Sequence, residues 1–245
     1  MKLALSGKRA LVTGGTRGIG RTTSLALARA GAQVVACYRG DHDAAATLRT
    51  CTGWDPRQHH TLQADLTTDA GRSAAIEECR SRLSGIDVLV NNLGSYETGS
   101  FASLSESVVQ ETVHVNLLTH YLVTKAALPL FSAGTSVVNV GAGMAMRGRT
   151  AHAHFTAAKA GLLGFTRSLA KELGPKNVRV NNVAPGVVQT ERQLDLPDGT
   201  RSALLQAIPL RRFCQAEEVT GVIMFLASDL SSFITGSTIN VDGGI

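Results

Sequence analysis

A glycine-rich turn near the start of the sequence is the first feature that could carry chemistry. It runs Thr13-Gly14-Gly15-Thr16-Arg17-Gly18-Ile19-Gly20, between a short apolar run and a helical pattern. Gly14 permits a sharp turn, Gly18 lets the backbone approach a pyrophosphate, and Gly20 lets the helix pack closely on the strand. The helix amino terminus then presents free N–H groups and the positive end of its dipole to phosphates. This position predicts a dinucleotide site formed by Gly14, Thr16, Arg17, Gly18, Ile19 and Gly20.

The end of the second apolar run bears on which dinucleotide is bound. It reads Cys37-Tyr38-Arg39-Gly40, and the first acidic residue after it is Asp41. An acidic side chain here usually holds the 2′-hydroxyl of NAD, whereas Arg39 and Arg17 could flank a 2′-phosphate with planar guanidinium groups. The alternative is that both are solvated surface arginines. We predict NADP(H) rather than NAD(H) as the cofactor.

Short apolar runs alternate with longer helical patterns along the whole chain. The strand candidates are Arg9–Val12, Gln33–Cys37, His60–Gln63, Val88–Asn91, Ser136–Val140, Arg179–Val183 and Thr238–Val241. The helical stretches are Gly20–Ala30, Ala70–Leu83, Leu104–Leu130, Phe155–Leu173 and Ala216–Leu226. Apolar strands separated by helices imply a parallel sheet buried on both faces. We therefore predict an α/β fold with a single Rossmann-like, doubly wound parallel sheet of about seven strands and helices on both faces, in one domain over residues 1–245.

The least regular segment covers residues 187–212 and contains Pro197, Gly199 and Pro209. It follows the carboxyl end of a strand, where open α/β sheets bind ligands. A substrate lid at 187–212 is the resulting hypothesis.

Composition and charge restrict the class of partner. Apolar residues make up 44% of the 245 positions, enough for a core on both faces of a sheet. The net charge of +5 is scattered without a run of like charges, so no nucleic-acid partner is expected. The four cysteines form no C-x-x-C pair, which indicates a reducing compartment and predicts no metal site. No apolar stretch reaches the roughly 18 residues that a membrane helix needs. We expect a cytoplasmic protein that acts on a small molecule.

Several ordered motifs resemble the short-chain dehydrogenase/reductase family across nearly the full chain. They are Gly14-x-x-x-Gly18-x-Gly20, Asn91-Asn92-Leu93-Gly94, Phe155-x-x-x-Lys159 and Pro185-Gly186-x-Val188-x-Thr190. The ending Val241-Asp242-Gly243-Gly244 is similar to reductases of acyl or polyketide carbonyls. The resemblance implies further cofactor contacts from Asp65, Leu66, Asn92, Gly94, Lys159, Pro185, Gly186, Val188 and Thr190.

The sequence departs from this family at the residues that protonate the substrate. In the family a serine and a tyrosine polarise and protonate a carbonyl oxygen, a lysine lowers the pKa of the tyrosine, and an asparagine supports a water relay. Lys159 and Asn116 match the last two, but the tyrosine position is Phe155 and the serine position is Ala142. Neither phenylalanine nor alanine has a titratable proton. An alternative is that Lys159 only holds ribose hydroxyls and that Asn116 only bridges helix to sheet.

Other residues could supply the missing proton. The candidates are Tyr96, Ser95, His152 and His154, and an acidic phenol on the substrate is a further source. We expect the two histidines to be exposed loop residues, with His154 directed some 100° away from Phe155. Tyr96 follows the Asn-Asn-Leu-Gly stretch at the end of a strand, and it could equally be a wall of the pocket.

Three hypotheses follow. The first is an NADPH-dependent carbonyl reductase of a polyketide-like or aromatic ketone with an unusual proton source. The second is a non-redox enzyme on the same fold (a cyclase, dehydratase or isomerase), because a fold does not fix its chemistry. The third is a catalytically silent NADP-binding subunit. In the resembled family the helix that carries Lys159, here rich in small residues, pairs across a subunit interface, so we expect a homodimer or homotetramer.

Overall fold

The computed structural model describes residues 5–189 and 197–245, and these contain a seven-stranded parallel sheet. Its strands are β1 (Arg9–Val12), β2 (Gln33–Tyr38), β3 (His59–Gln63), β4 (Ile86–Asn91), β5 (Phe131–Val140), β6 (Arg179–Pro185) and β7 (Thr238–Val241). Their order across the sheet is β3-β2-β1-β4-β5-β6-β7. The order reverses direction next to β1, which places the carboxyl ends of β1 and β4 side by side at the position where such sheets bind ligands.

Helices cover both faces of the sheet. They are α1 (Gly18–Arg29), α2 (His42–Thr50), α3 (Asp69–Leu83), α4 (Glu106–Val113), α5 (Thr119–Ala127), α6 (Met144–Arg147), α7 (Ala153–Leu173), α8 (Asp198–Ala207) and α9 (Ala216–Ala227). One apolar core joins the sheet to α1 and α9, and a second joins it to α3, α5 and α7. Neighbouring strand residues alternate between the two cores, so Val12 faces the first and Leu11 the second. The predicted doubly wound fold is confirmed.

Several predicted boundaries differ from the structure. Strand β5 begins at Phe131 rather than Ser136, because Phe131 pairs with Ile86 at the start of β4. Helix α2 was not predicted; it begins where the Asp41 carboxylate accepts a hydrogen bond from the Ala44 amide at 2.9 Å. Helix α8 lies within the segment proposed as a lid, of which residues 190–196 lie outside the described part of the chain.

The long helix predicted over Leu104–Leu130 is not continuous. A π-helical segment at His114–Leu118 separates α4 from α5, and a 3₁₀ turn at Leu128–Leu130 follows. Two side chains form hydrogen bonds with backbone carbonyls in this region. Asn116 Nδ2 donates to Thr112 O at 3.0 Å, and Thr119 Oγ1 donates to His114 O at 2.9 Å. Such bonds compete with the α-helical ladder, and π segments are frequent at functional sites.

Within the described part of the chain, no helix is both long and apolar enough to cross a membrane.

Candidate active site

The turn after β1 shows why its glycines are needed. Gly14 and Gly18 have φ angles of +60° and +50°, which favour glycine. A Cβ on Gly20 would lie 2.0 Å from Gly14 O, so only glycine lets α1 begin this close to the turn. Asn92 Nδ2 donates to Thr13 O and Gly14 O at 3.1 and 3.0 Å, so the side chain of this predicted cofactor residue braces the turn.

The amino terminus of α1 fits an anionic ligand. Among the described residues, its N-cap Arg17 makes no side-chain cap bond, and its first turn has no acidic residue. By contrast, α2, α3 and α4 are capped by Asp41, Thr68 and Ser105. The first-turn N–H groups of α1 therefore remain available, as the pyrophosphate of a dinucleotide requires.

The predicted 2′-phosphate residues lie beyond this turn. Arg17 and Arg39 are both exposed, and Arg17 Nη1 is 3.8 Å from Asp41 Oδ2. The pKa of Asp65 is lowered although burial opposes the shift, because Thr67 donates two hydrogen bonds and Arg39 adds positive charge. The charge of Arg39 thus acts on Asp65, the residue predicted to contact the adenine. The carboxylate of Asp41 is engaged by Arg17 and by the cap of α2.

The other predicted cofactor residues fall into two groups. Thr16, Leu66 and Val188 are buried, whereas Ile19 is partly buried against the core. Pro185 ends β6, and Gly186 follows it with its amide donating to Val241 O at 3.0 Å. Thr190 lies outside the described residues.

Lys159 is buried on α7 beneath the end of β5. Its ammonium donates to Val140 O at 2.9 Å, and burial lowers its pKa to about 7. A Cβ on Gly94 would lie 3.8 Å from Lys159 Nζ and 3.1 Å from Asn116 Oδ1, so all three groups meet at one point. Asn116 Oδ1 has no hydrogen-bond partner in the described part of the protein. The arrangement offers a donor and an acceptor to a polar ligand.

The phenyl ring of Phe155 stands one helical turn before Lys159. It is 7% exposed, and its centroid is 6.0 Å from Lys159 Nζ. Ala142 is half-buried and is the second residue after the end of β5. Neither position offers a hydroxyl.

Tyr96 lies against Phe155 at the surface of the site. The two ring centroids are 5.1 Å apart at an interplanar angle of 80°, an edge-to-face contact. Its other neighbour is His152, with a centroid distance of 4.9 Å. Arg149 Nη1 donates to Tyr96 Oη at 3.4 Å, and Tyr96 is 36% exposed. The phenol therefore combines a proton, an adjacent cation and access from solvent.

The expectation that His152 and His154 are exposed loop residues is wrong. They are only 3% and 5% exposed, and His154 lies within the first turn of α7. The loop after β4 covers this region, with the Gly99 amide donating to Ala151 O at 3.0 Å. His152 Nδ1 donates to Thr150 O at 2.8 Å, which leaves Nε2 to accept from Thr98 Oγ1 at 3.2 Å. Both ring nitrogens of His152 are thus taken up by hydrogen bonds to Thr150 and Thr98.

Ser95 lies beside Asn116. Its Oγ accepts a hydrogen bond from Asn116 Nδ2 at 3.2 Å, and its carbonyl accepts another at 3.0 Å. Among the described residues, the Ser95 hydroxyl donates to no acceptor, so its hydrogen is available to a ligand. Tyr96 and Ser95 are therefore the two candidates that can present a hydroxyl proton to a ligand.

One residue of the site was missed by sequence reasoning. His120 on α5 is 1% exposed, and its Nε2 lies 2.7 Å from Leu93 O. The pKa of His120 falls to about 3 because of burial and the nearby charge of Lys159. The sequence signal that could have found His120 is its spacing from Asn116. A residue four positions further along a helix lies about one turn on and therefore on the same side.

Comparisons with known proteins cover the whole chain. A family profile described as Enoyl-(Acyl carrier protein) reductase matches residues 14–245. A 3-oxoacyl-[acyl-carrier-protein] reductase of Aquifex aeolicus is 37% identical over 247 residues, with 100% of each chain covered. The crystal structure of a short-chain dehydrogenase/reductase from Brucella melitensis, titled glucose/ribitol dehydrogenase, matches with a TM-score of 0.94 at 31% identity and covers 100% of this chain and 98% of that one. A short-chain dehydrogenase from Burkholderia cenocepacia in complex with NADP matches with a TM-score of 0.92 at 30% identity over 98% of both chains.

Proposed function

The chain belongs to the short-chain dehydrogenase/reductase family, and on that premise we propose that it is an NADPH-dependent carbonyl reductase whose proton donor is Tyr96. The observation that carries the proposal is the edge-to-face contact of Tyr96 with Phe155 at 5.1 Å. This contact brings a phenol next to the position from which the family protonates its substrate. The hydroxyl comes from the loop after β4 instead of from α7.

NADP(H) is the cofactor of the proposed reaction. Its fit rests on the glycine turn, the free amino terminus of α1 and the two arginines beyond it. The relative from Burkholderia cenocepacia was solved with NADP, which supports the same choice. When bound, NADPH supplies the hydride. The residues of the chain have to bind and orient it, and they have to deliver a proton to the carbonyl oxygen.

Tyr96, with Arg149 beside it, would perform the proton transfer. Reduction of a carbonyl places negative charge on oxygen, and a positioned acid that neutralises it contributes about 10²–10⁴-fold in rate. Arg149 Nη1, 3.4 Å from Tyr96 Oη, would stabilise the phenolate left behind. Solvent reaches Tyr96, so its proton can be replaced.

Lys159 and Asn116 would hold the cofactor and not act as acids. Lys159 has one of its three N–H groups on Val140 O, which leaves two for ribose hydroxyls. The unpartnered Oδ1 of Asn116 provides an acceptor beside it. With no phenol at residue 155, binding and orientation are the roles that remain for Lys159.

Aromatic side chains beside the site, of which Tyr96 is the exposed one, support a substrate class. His152, Tyr96 and Phe155 form a row of three rings in contact, with Tyr96 in the centre. Planar rings offer stacking and edge-to-face contacts to another aromatic ring. This row supports a polyketide-like or aromatic ketone as substrate, in keeping with the 3-oxoacyl carrier-protein reductases among the relatives.

The test is an incubation of the purified protein with NADPH and a panel of quinones, aromatic ketones and 3-oxoacyl thioesters. We expect NADPH oxidation that matches the alcohol formed one to one, with an aromatic ketone as the best substrate. Product formed without NADPH oxidation would instead establish a non-redox enzyme. Tight NADPH binding without any turnover across the panel would establish a silent subunit.

A further inference from the structure

The buried imidazole of His120 carries an inference beyond the proton donor. Its Nε2 lies 2.7 Å from Leu93 O. A carbonyl oxygen can only accept, so Nε2 must carry the hydrogen. The pKa of His120 lies near 3, because burial and the charge of Lys159 disfavour the cation. The ring is therefore neutral throughout the physiological range, and it can donate at Nε2 but cannot take a proton from Lys159.

Leu93 belongs to a segment that is held from two sides. The amides of Asn92 and Leu93 both donate to Thr13 Oγ1, at 2.9 and 3.0 Å. These bonds tie the segment to the end of β1. On the other side, His120 holds the Leu93 carbonyl from helix α5.

The bond from His120 fixes the direction of the next amide. Leu93 C=O and Gly94 N–H belong to one planar trans peptide unit, so they point in opposite directions. With the carbonyl directed at His120, the Gly94 N–H points away from α5. It makes no hydrogen bond within the described residues. Gly94 also stands directly against Asn116 Oδ1 and Lys159 Nζ, so a rotated peptide would disturb all three groups.

We propose that His120 is a positioning residue for cofactor binding, which holds the Leu93 carbonyl and thereby directs the Gly94 amide into the cofactor site. The inference rests on the proposed function, since it takes NADPH as the ligand. Helix α5 would then shape the site by orienting the Leu93–Gly94 peptide, a role that Asn116 and Lys159 do not perform.

Two amide substitutions separate positioning from general packing. In His120→Gln, the amide nitrogen can reach the place of Nε2 and keep the bond to Leu93 O. In His120→Asn, which is one methylene shorter, it cannot. We expect His120→Asn to raise the Kd for NADPH by about tenfold and His120→Gln to stay within about threefold, which is the scale of one hydrogen bond. The matched control is His59→Asn, which alters a buried histidine at the amino-terminal end of β3.

The apo protein provides a second readout. Labelling leucine carbonyl carbons and glycine nitrogens gives NMR signals for the Leu93–Gly94, Leu163–Gly164 and Leu173–Gly174 peptides. We expect His120→Asn to shift only the first signal and His120→Gln to leave all three near their wild-type positions. Equal loss of NADPH affinity in both variants, or an unmoved Leu93–Gly94 signal in His120→Asn, would overturn the proposal. If the wild type bound no NADPH, the proposed function would fail, and the apo signal would still decide whether His120 holds Leu93.

Discussion

At two positions where the short-chain dehydrogenase/reductase family has a hydroxyl, this chain has the apolar residues Phe155 and Ala142. Lys159 and Asn116, by contrast, match the family. Phe155 is buried against Tyr96, so its ring is part of a packed aromatic contact. The ring therefore fills space that it shares with Tyr96. The presence of Phe155 where the family has tyrosine therefore changes the shape of the site as well as the chemistry of the site.

Restoring the family residues should not restore a family-type rate. In Phe155→Tyr with Ala142→Ser, we expect little gain or a loss in NADPH-dependent turnover of the native substrate. The new phenol would sit where no partner is positioned for it, at a cost of roughly 1–3 kcal/mol if buried. The measurement is kcat for the wild type, both single variants and the double variant. A rise of about tenfold in the double variant, equal to roughly 1.4 kcal/mol of barrier, would contradict this account.

Arg39 should decide between the two dinucleotides. Its charge lowers the pKa of Asp65, the residue expected at the adenosine end, and its guanidinium suits a bidentate contact with a 2′-phosphate. We expect Arg39→Ala to weaken NADPH binding by about tenfold or more and to leave NADH nearly unchanged, as loss of a charge-assisted contact implies. Calorimetric titration measures both affinities. Arg57→Ala, which removes an exposed arginine paired with Asp55, is the control. Equal losses for both cofactors would show that Arg39 does not contact the 2′-phosphate.

At the scale of single elements, α7 buries a lysine, which should make stability depend on pH. The pKa of Lys159 falls from 10.5 to about 7 on burial. Between these values the unfolded state binds more protons, so stability rises with pH from 7 to 10.5, and below pH 7 the full cost of the buried charge is present. Lys159→Met should therefore stabilise the apo protein more at pH 6.5 than at pH 9.5, by about 2–3 kcal/mol.

Urea unfolding at the two pH values tests this expectation. Lys171→Met, at an exposed position of the same helix, is the control and should show no such difference. A stabilisation by Lys159→Met that is equal at both pH values would mean that Lys159 is not desolvated in solution.

The elements also show what the sequence could and could not predict. The glycine turn and the sheet could be predicted from the sequence, because they depend on local backbone geometry and on apolar runs. The contact of Tyr96 with Phe155 joins a loop to a helix, and it depends on how the loop after β4 folds over α7. The burial of His152 depends on the same loop. The π segment around Asn116 arises from side-chain bonds to carbonyls, which leave no periodic signal.

At the scale of the whole molecule, α5 and α7 leave a shared apolar face. Tyr121 is 48% exposed and packs against Phe165, with ring centroids 5.3 Å apart. A Cβ on Gly164 would meet no atom within 4 Å, so this glycine has no packing role within the described chain. We expect two copies to pair through this face, because the resemblance to the family implies that the helix rich in small residues pairs across a subunit interface.

Gly164→Arg should separate the copies without unfolding them. Arginine favours helix over glycine by about 1 kcal/mol, so any loss of assembly would come from the blocked face. We expect sedimentation velocity to show a homodimer or homotetramer for the wild type and a smaller species for the variant. The control is Gly199→Arg on α8, where a Cβ also meets no described atom within 4 Å. A monomeric wild type, or an unchanged assembly in Gly164→Arg, would contradict the expectation.

The central role in the proposed NADPH-dependent reduction belongs to Tyr96 as the proton donor. The measurement is single-turnover reduction by Tyr96→Phe of the ketone that the wild type reduces best, together with the Kd for NADPH. Tyr121→Phe, at another exposed tyrosine, is the control. We predict a rate lower by about 10²–10⁴-fold in Tyr96→Phe, with an unchanged Kd, because only the acid is removed. A Tyr96→Phe rate within about threefold of the wild type would contradict the account, since a positioned acid contributes far more.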